Sequence, residues 1–354
     1  MVVSPAAEAH TCRLRVAMVT PWGRHVRCGV RAYSEKLARA LAGKGVDVYV
    51  VRWPRFGHIT PEIAARVAES IPADRVDLVH VQHEYGLFRG TERAFYRALR
   101  EHGLPVVTTM HTTGVPGKWA LDRFILAESD AVVVHNRWCL ELLGRPGKAR
   151  VIPHGCEPRE PLPRQEARRR LGLPEDAPLV GYVGFISPVK GLEDLVEAVA
   201  AIRAALLVGG GWHTGPDTGY IARLKARALE RLPGRVQFLG YVPDELLPAV
   251  YGAVDVVAYP SRFMSESGAL LMALSFGKAV VARDLPPVRE KAGQGALWTF
   301  SDVRDLAAKL ARLLADAPTR AALERAARRY AERNSWPRVA EMHIKLYEDV
   351  LSGR

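Results

Sequence analysis

The chain has 354 residues and a formal net charge of +12, with 48% hydrophobic and 25% charged residues. This composition is that of an ordinary globular protein and excludes a disordered, collagenous or disulfide-stapled chain. The length predicts about two domains, each large enough to bury its own core. No apolar run reaches the roughly 18 residues of a membrane span, and residues 1–12 lack the pattern of a signal peptide, so we expect a cytoplasmic protein.

The positive charge is spread along the chain. Residues 1–160 carry 23 basic and 16 acidic residues, and the remainder carries 27 and 22, so the excess is 7 and 5. No motif that reads nucleic acid accompanies this charge, and we expect no nucleic-acid partner. Peripheral association with an anionic membrane, at its inner face, fits the charge better. The chain has only two Asn and four Gln, a scarcity of amides typical of heat-adapted proteins.

The first half of the chain alternates short β-branched runs with amphipathic stretches. The strand-like runs lie at 13–20, 46–53, 76–82, 104–110, 130–136 and 148–154. The segments between them repeat apolar residues at spacings of three and four, which is typical of helices. Strands that alternate with helices predict right-handed crossovers and a parallel sheet covered on both faces.

The pattern pauses at 155–178, where five prolines and a run of charges indicate a linker. It restarts with runs at 179–186, 204–211, 235–242, 254–261 and 278–284, and the tail at 301–354 is predicted to be mostly helical. Ser335 and Pro337 fit the N-cap and first turn of the last helix. We therefore predict an α/β fold of two tandem doubly wound domains, at 1–158 and 159–335, with ligands at the strand ends in a cleft that the domains face.

In the first domain, a glycine-bearing loop and several polar residues follow the strands. Gly29 opens a helix after the first strand, where the backbone could approach an anion or a sugar, although a plain turn explains it equally well. Histidines that we expect to face the cleft follow three later strands, and a glutamate follows the first of them: His83, Glu84, His111 and His154. A single histidine at such a position is more often structural, but three in one domain favour a functional interpretation.

In the second domain, two helix starts follow strands and suit an anion. Lys190 and Gly191 precede one helix, so the lysine charge and the helix dipole would act together on a phosphate. Ser265, Ser267 and Gly268 precede the other, whose first amides form a second anion site. There is no acidic DxD pair, and the four cysteines have no zinc spacing, so we expect neither a metal nor a cofactor.

Together these segments resemble the retaining glycosyltransferases of family four, which have the two-domain GT-B fold and use a nucleotide sugar as donor. The resemblance covers nearly the whole chain and rests on CGVRAYSEKLARAL, HEYG, TMHTT, VIPHG, KGLEDLVEA, SGALLMALSFGKAVVA and SWPRVAEMHIKLYEDVL, in that order. It implies transfer of a hexose from a UDP- or GDP-linked donor to a sugar or lipid-linked acceptor, without a metal. It also implies that the final helix, at about 336–354, crosses back to the first domain.

The resemblance assigns roles to the candidate residues. Lys190 and the amides of Ser267, Gly268 and Ala269 would hold the donor diphosphate, and Tyr241 with Val242 would border the base. His111 matches the histidine that contacts the transferred sugar, and Gly29 matches the loop that closes near the diphosphate. No covalent nucleophile is implied, because the leaving diphosphate can take the acceptor proton.

The chain departs from the family pattern at two points. Members carry two glutamates eight positions apart where this chain has Met264 and Met272, and Glu266 is the candidate replacement. Many members also have a diphosphate-binding arginine where this chain has Phe185, a contact that Arg262 or His213 could supply. Two alternatives therefore stay open. One is a catalytically weakened partner subunit that binds nucleotide sugar, and the other is a different nucleotide-dependent enzyme such as an epimerase, which the missing GxGxxG motif disfavours.

Overall fold

The chain forms two compact units. The computed structural model describes residues 2–3, 13–22, 28–54, 59–211 and 219–353. Unit 1 comprises residues 1–155 with 334–354, and unit 2 comprises residues 156–333. The composition of the chain suggested divisions at 158 and 335, a few residues later in each case.

Unit 1 contains a seven-stranded sheet. Its strands are β1 (Val2–Val3), β2 (Arg15–Pro21), β3 (Asp47–Trp53), β4 (Leu78–His83), β5 (Val106–Met110), β6 (Ala131–Val134) and β7 (Ala149–Val151). Its helices are α1 (Gly29–Ala42), α2 (Pro61–Glu69), α3 (Tyr85–Phe88), α4 (Glu92–Arg100), α5 (Trp119–Glu128), α6 (Arg137–Leu142) and the C-terminal helix Trp336–Leu351. A short 3-10 turn covers Ala73–Arg75.

The order of the strands shows where a ligand would bind to unit 1. The order is β1-β3-β2-β4-β5-β6-β7, and every pair is parallel except β1 with β3. Strands β2, β4 and β5 are buried on both faces, as parallel strands under helices must be. The chain reverses direction across the sheet between β2 and β4, and such a switch point opens a crevice at the carboxyl ends of those strands.

Unit 2 contains a six-stranded sheet. Its helices are α7 (Arg164–Leu171), α8 (Leu192–Ala200), α9 (Tyr220–Arg231), α10 (Leu247–Ala253), α11 (Gly268–Ser275), α12 (Pro286–Gly293), α13 (Val303–Ala315) and α14 (Ala317–Arg333), so the C-terminal helix of unit 1 is α15. Its strands are β8 (Leu179–Val183), β9 (Ala205–Gly209), β10 (Val236–Gly240), β11 (Val256–Tyr259), β12 (Ala279–Arg283) and β13 (Trp298–Phe300). Short 3-10 turns cover Pro188–Lys190 and Asp244–Leu246.

All six strands of unit 2 are parallel, in the order β10-β9-β8-β11-β12-β13. The switch point therefore lies between β8 and β11. The predicted α/β fold class, with two doubly wound domains, is confirmed. Strands β1 and β13 were not predicted, because two or three residues are too few to show a pattern.

Helix α15 packs on the sheet of unit 1 beside α1. Trp336, Val339, Leu346 and Tyr347 are buried in one core cluster with residues of α1, β2 and β4. Ser335 occupies the N-cap position without a side-chain cap bond, and a proline stands in the first turn, as the sequence indicated. The last helix therefore completes the core of unit 1 rather than that of unit 2.

The segment at 155–178 is not only a linker. It includes α7, which the proline and charge content concealed. Arg168 on this helix is fully buried, and its guanidinium donates to the carbonyls of Ala253 (2.9 Å) and Ala177 (2.7 Å) and to the carboxylate of Asp255 (2.9 Å). A buried charge is tolerated when its donors are satisfied in this way, so the charged helix is part of the core of unit 2.

Candidate functional site

Lys190 lies at the switch point of unit 2. The short turn Pro188–Lys190 connects β8 to α8, and Gly191 caps that helix in the left-handed conformation with φ 65°. A Cβ at Gly191 would lie 2.6 Å from the carbonyl oxygen of Pro260, so only glycine fits there. Lys190 is half-buried, burial lowers the pKa of its ammonium, and among the described residues no acidic side chain is within ion-pair distance.

The loop before α11 positions a second set of hydrogen-bond donors, the backbone amides at the start of that helix. The Ser267 hydroxyl accepts the amide of Leu270 at 3.2 Å as an N-cap, and the Ser267 amide donates to a Glu266 carboxylate oxygen at 2.8 Å. We predicted three anion-binding amides, but that of Ser267 is already bonded inside the unit. The first turn therefore offers the amides of Gly268 and Ala269 to an anion.

The two segments lie side by side on adjacent strands. A Cβ built on Gly184, directly after β8, would be 3.3 Å from the Cβ of Ala269. The Arg262 amide donates to the Val189 carbonyl at 2.8 Å, which ties the loop after β11 to the turn that carries Lys190. The lysine and the start of α11 thus share one edge of the sheet, as two groups that bind one diphosphate must.

Arg262 is held by acidic residues of α8. Its guanidinium lies 3.3 Å from Asp194 and 3.8 Å from Glu193, and Arg283 bonds the other oxygen of Asp194. Arg262 is about half exposed, so a phosphate could still reach it, but it now braces the loop. His213, the other candidate for this contact, lies outside the described residues.

Glu266 is part of a buried ion pair. Its second carboxylate oxygen is 2.9 Å from the ammonium of Lys291, and the two side chains are 7% and 5% exposed. Burial alone would lower the pKa of Lys291, but the carboxylate outweighs burial and raises it. Because Lys291 and Ser267 engage its two oxygens, Glu266 as placed here anchors α12 to the loop before α11.

The two methionines at the family glutamate positions differ in surroundings. Met264 is buried, at 6% exposure, and packs in the core of unit 2. Met272 is partly buried, and its sulfur lies 3.4 Å from the guanidinium of Arg159. An arginine therefore stands beside the position where members carry the second glutamate.

Tyr241 and Val242 follow β10 at the same end of the sheet. Tyr241 is exposed at 51%, whereas Val242 is partly buried and would contact a Cβ on Gly209 at 2.7 Å. An exposed aromatic side chain at a strand end has the chemistry to stack on a base.

In unit 1, Gly29 is the first residue of α1 and follows β2 at its switch point. It is exposed, and a Cβ there would meet nothing within 4 Å, so this structure does not itself require glycine. The preceding loop at 23–27 lies outside the described residues.

The structure brings His111 and His154 together but not His83. The Tyr33 ring lies edge-on to both, with centroid separations of 4.8 Å and 4.9 Å. His83 is fully buried and lies 3.3 Å from Glu92 on the other face of the sheet, so the prediction that it faces a cleft together with His111 is wrong. Side chains along a strand alternate between the two faces of the sheet, and His83 is the residue after Gln82, so these two side chains point to opposite faces.

Both ring nitrogens of His111 are engaged. Its Nε2 is 2.9 Å from the Gln82 amide, and its Nδ1 is 3.3 Å from Nε2 of His135. Glu84 caps α3 by position only and accepts a bond from Thr112 at 2.7 Å. Sequence reasoning missed Gln82 and His135. The signal for Gln82 was available, because Gln82 and His80 occupy alternate positions of β4 and so point to the same face of the sheet.

The described residues contain neither a cluster of metal ligands nor a membrane-spanning helix. No group of three or more His, Cys, Asp or Glu side chains there has the arrangement of a metal site. None of the described helices is both long enough and apolar enough to cross a membrane.

Two family models match adjoining parts of the chain. The model described as glycosyl transferases group 1 matches residues 163–330, and the model described as glycosyltransferase family 4 matches residues 51–160. The first covers most of unit 2, including Lys190 and α11. The second covers most of unit 1 beyond α1, including His111.

Curated relatives agree with these models. A D-inositol 3-phosphate glycosyltransferase of Stackebrandtia nassauensis is 33% identical over 250 residues, which are 65% of this chain and 56% of that protein. The protein of the same name from Acidothermus cellulolyticus is 27% identical over 389 residues, which are 92% of this chain and 86% of that protein. The chain thus matches little more than half the length of the first relative.

Solved structures share the fold. Sucrose-phosphate synthase from Thermosynechococcus elongatus has a TM-score of 0.79 and 22% identity, over 97% of this chain and 100% of that one. HepE from Anabaena, solved in complex with UDP and glucose, has a TM-score of 0.77 and 17% identity, over 95% and 100%. Each family model matches one of the two units. This chain therefore belongs to the family-four glycosyltransferases.

Proposed function

We propose that the protein transfers a hexose from a UDP-linked donor to a hydroxyl group of a sugar or lipid-linked acceptor, with retention of configuration and without a metal. The observation that carries the proposal is Lys190, a half-buried cation without an anionic partner among the described residues. It lies beside the first turn of α11, at the switch point where doubly wound sheets bind ligands. A diphosphate supplies the missing negative charge.

The charge that develops in the reaction matches this arrangement. As the bond between the sugar and the diphosphate breaks, negative charge accumulates on the leaving phosphate oxygens. The amides of Gly268 and Ala269 are oriented by the start of α11 before the reaction, and Lys190 adds a positive charge at the same edge of the sheet, so little reorganisation is needed to stabilise that charge. Partial burial strengthens the effect, because Coulomb energies rise as the local dielectric constant falls.

The chemical step needs no protein nucleophile. The acceptor oxygen forms a bond to the anomeric carbon while the bond from that carbon to the diphosphate oxygen breaks. The acceptor proton passes to the departing diphosphate oxygen, so attack occurs on the face that the diphosphate leaves and the configuration is retained. A buried Met264 and a Glu266 engaged by Lys291 are consistent with a mechanism that relies on positioning and electrostatics.

The other candidate residues surround the same donor in this proposal. Tyr241 and Val242 border the base, Gly29 approaches the diphosphate, and His111 lies against the transferred sugar. The UDP preference is supported by HepE, a structural neighbour solved with UDP and glucose. GDP is the alternative that the sequence left open.

The curated relatives suggest the first acceptors to test. Both are named as D-inositol 3-phosphate glycosyltransferases, so a phosphorylated polyol should be assayed beside simple sugars and a lipid-linked sugar. If the acceptor is lipid-linked, the basic protein would meet it at the inner face of the membrane, where each well-placed cation adds about 1 kcal/mol of attraction.

Donor binding tests the proposal directly. We expect UDP or UDP-hexose to raise the melting temperature in EDTA, and we expect Lys190→Ala to abolish that shift. Lys225→Ala is the matched control, because this exposed lysine of α9 lies 5.6 Å over Phe238 and carries the same charge. Equal UDP shifts in Lys190→Ala and the wild type would refute the diphosphate assignment.

One specific observation favours a second candidate function. The two family glutamates are replaced by Met264 and Met272, and Glu266 is engaged in an ion pair. A subunit that binds nucleotide sugar but does not transfer it would show these features. UDP-dependent stabilisation without transfer or hydrolysis, across the whole acceptor panel, would favour this candidate over the enzyme.

A further inference from the structure

A line of buried polar side chains crosses the apolar face of the unit 1 sheet. It begins on α15 with Tyr347, passes through His80 and Gln82 on β4, and reaches His111 and His135 after β5 and β6. Tyr347 and His80 have no exposed surface, Gln82 is 1% exposed and His135 is 4% exposed. Such groups must be hydrogen-bonded to be tolerated, and here they are bonded to each other.

The contacts form a continuous chain. The hydroxyl of Tyr347 is 2.7 Å from Nδ1 of His80, and Nε2 of His80 is 3.1 Å from the Gln82 amide and 2.7 Å from the Thr109 hydroxyl. The other end of the Gln82 amide is 2.9 Å from His111, and His111 is 3.3 Å from His135.

The last member of this series of hydrogen bonds, His135, determines which group donates and which accepts along the series. Nδ1 of His135 is 3.1 Å from the carbonyl oxygen of Ile152, which can only accept. His135 therefore donates from Nδ1, and in the neutral form of that ring Nε2 is an acceptor for His111. His111 must then carry its proton on Nδ1, which leaves its Nε2 bare and in need of a donor.

Gln82 supplies that donor when its amide nitrogen faces His111. In the structure the nitrogen faces His80 and the oxygen faces His111, but a half-turn of the amide exchanges them with no other movement. After the half-turn, Nε2–H of His80 donates to the amide oxygen, and the hydroxyl of Tyr347 donates to Nδ1 of His80. The Tyr347 hydroxyl can donate or accept, so this end is compatible with the direction that the His135 end sets.

The surroundings favour neutral rings. The titratable groups that face His111 are His80 from β4, His135 and His154 after β6 and β7, and Tyr33 from α1, and His83 acts on it only from the other face of the sheet. No carboxylate stands among these described neighbours. Burial, followed by the neighbouring histidines, lowers the pKa of His111 well below its usual value.

We propose that Tyr347, His80, Gln82 and His135 are positioning residues that hold the His111 ring neutral, with its proton on Nδ1. The consequence rests on the proposed function, in which His111 lies against the transferred sugar. A neutral ring does not oppose the positive charge that develops on that sugar in the transition state, whereas an imidazolium would. Helix α15 thereby acts on the site through hydrogen bonds as well as through packing.

The protonation state can be measured on the resting protein, without any substrate. In the long-range 1H–15N spectrum of histidine-labelled protein at pH 7, the His111 signals are those missing from His111→Gln. We expect one bare and one protonated nitrogen, with the proton on Nδ1. Two protonated nitrogens, or a proton on Nε2 alone, would overturn the proposal.

Gln82→Glu supplies the perturbation. A carboxylate against Nε2 stabilises the imidazolium, so we expect His111 to become doubly protonated at pH 7 and its pKa to rise. Turnover should fall about tenfold at pH 7 and recover as the pH rises through the new pKa, with UDP binding unchanged. A loss of turnover that does not depend on pH would refute the role assigned to the charge of His111.

The role of α15 is tested by a pair of matched variants. Tyr347→Phe removes only the hydroxyl at the head of the chain, and we expect turnover to fall about threefold with donor KM unchanged. Tyr96→Phe is the control, because Tyr96 is equally buried and its hydroxyl bonds Thr108 at 2.9 Å, outside the chain. Equal effects of the two variants would show that the hydrogen bonds from Tyr347 to His111 have only a structural role.

The two readouts keep the proposals separate. If the wild type transfers no sugar under any condition, the proposed function fails and the histidine spectrum still decides the tautomer. If transfer occurs but His111 is cationic at rest, the function stands and the positioning proposal fails.

Discussion

Disrupting the ion pair between Glu266 and Lys291 tests whether the Glu266 carboxylate has a structural or a chemical role. Glu266 was the sequence candidate for replacing the two family glutamates, yet its oxygens bond the Ser267 amide and the Lys291 ammonium. Glu266→Gln keeps the shape, but its NH2 group must face either the Ser267 amide or the Lys291 ammonium. In both orientations the ammonium loses its negative partner, in a site where Lys291 is 4% exposed.

The expected cost follows from that burial. Removing one partner of a buried pair typically costs about 3 to 5 kcal/mol, because the remaining charge stays desolvated. For a unit of the size of residues 156–333, this corresponds to a fall in melting temperature of roughly 6 to 20 °C. Equilibrium urea unfolding and calorimetry of the wild type and the variant measure both quantities.

The pH dependence adds a sign that can be checked. The pKa of Lys291 is raised in the folded state, so its contribution is complete below the unfolded pKa near 10.4 and is lost only as the pH rises through the folded value. In Glu266→Gln, burial without the carboxylate lowers the pKa of Lys291 below its unfolded value, so the stability of the variant rises with pH and its cost should be smaller at pH 9 than at pH 6. An equal cost at both pH values would contradict the desolvation argument.

Two controls give the measurement its meaning. Asp284→Asn removes an exposed pair with Arg289, whose side chain is 63% exposed, and should cost less than about 1 kcal/mol. Combining Glu266→Gln with Lys291→Met removes both charges and should recover part of the loss. The reasoning is refuted if Glu266→Gln retains wild-type stability but loses transfer, because the carboxylate would then act on the substrate.

Two further predictions concern the backbone and the histidines. Gly191→Ala places a Cβ 2.6 Å from the Pro260 carbonyl oxygen at φ 65°. We therefore expect the free energy of unfolding in urea to fall by about 2 kcal/mol, together with weaker UDP binding. Gly29→Ala is the control, because its Cβ meets nothing within 4 Å, and it should leave the free energy of unfolding within about 0.5 kcal/mol of the wild type. Burial lowers the pKa of His343 to about 4, so as the pH falls from about 6.5 to about 4 the unfolded state binds a proton that the folded state does not, and stability should fall. His343→Leu should remove about 3 kcal/mol of this total loss, and an unchanged loss would contradict the burial argument.

The fold could be predicted largely from the sequence because buried parallel strands are continuous apolar runs. The run at 76–82 became β4 and the run at 254–261 contains β11. Helix α7 could not be predicted, because its stability depends on Arg168 bonding carbonyls and a carboxylate that are distant in sequence. Charge and proline content describe local preference, whereas this helix is stabilised by tertiary contacts.

The candidate site was predicted in part. Lys190 and the start of α11 do share one edge of a sheet, since residues that follow parallel strands meet at the same edge. The face of each histidine could not be assigned without the strand register, so His83 was placed with His111 although it points to the other face. Tyr347 could not be predicted, because its hydroxyl contacts His80, 267 residues earlier in the sequence.

The central claim is that Lys190 stabilises the leaving diphosphate during sugar transfer. The most direct test is the turnover of UDP-hexose in EDTA by the wild type, Lys190→Ala and Lys225→Ala, with release of UDP and the anomeric configuration of the product followed together. We predict retention, unchanged turnover in Lys225→Ala, and a fall of about 10² to 10³-fold in Lys190→Ala. Turnover by Lys190→Ala within about twofold of the wild type, where a lost electrostatic contact should cost far more, would contradict the account.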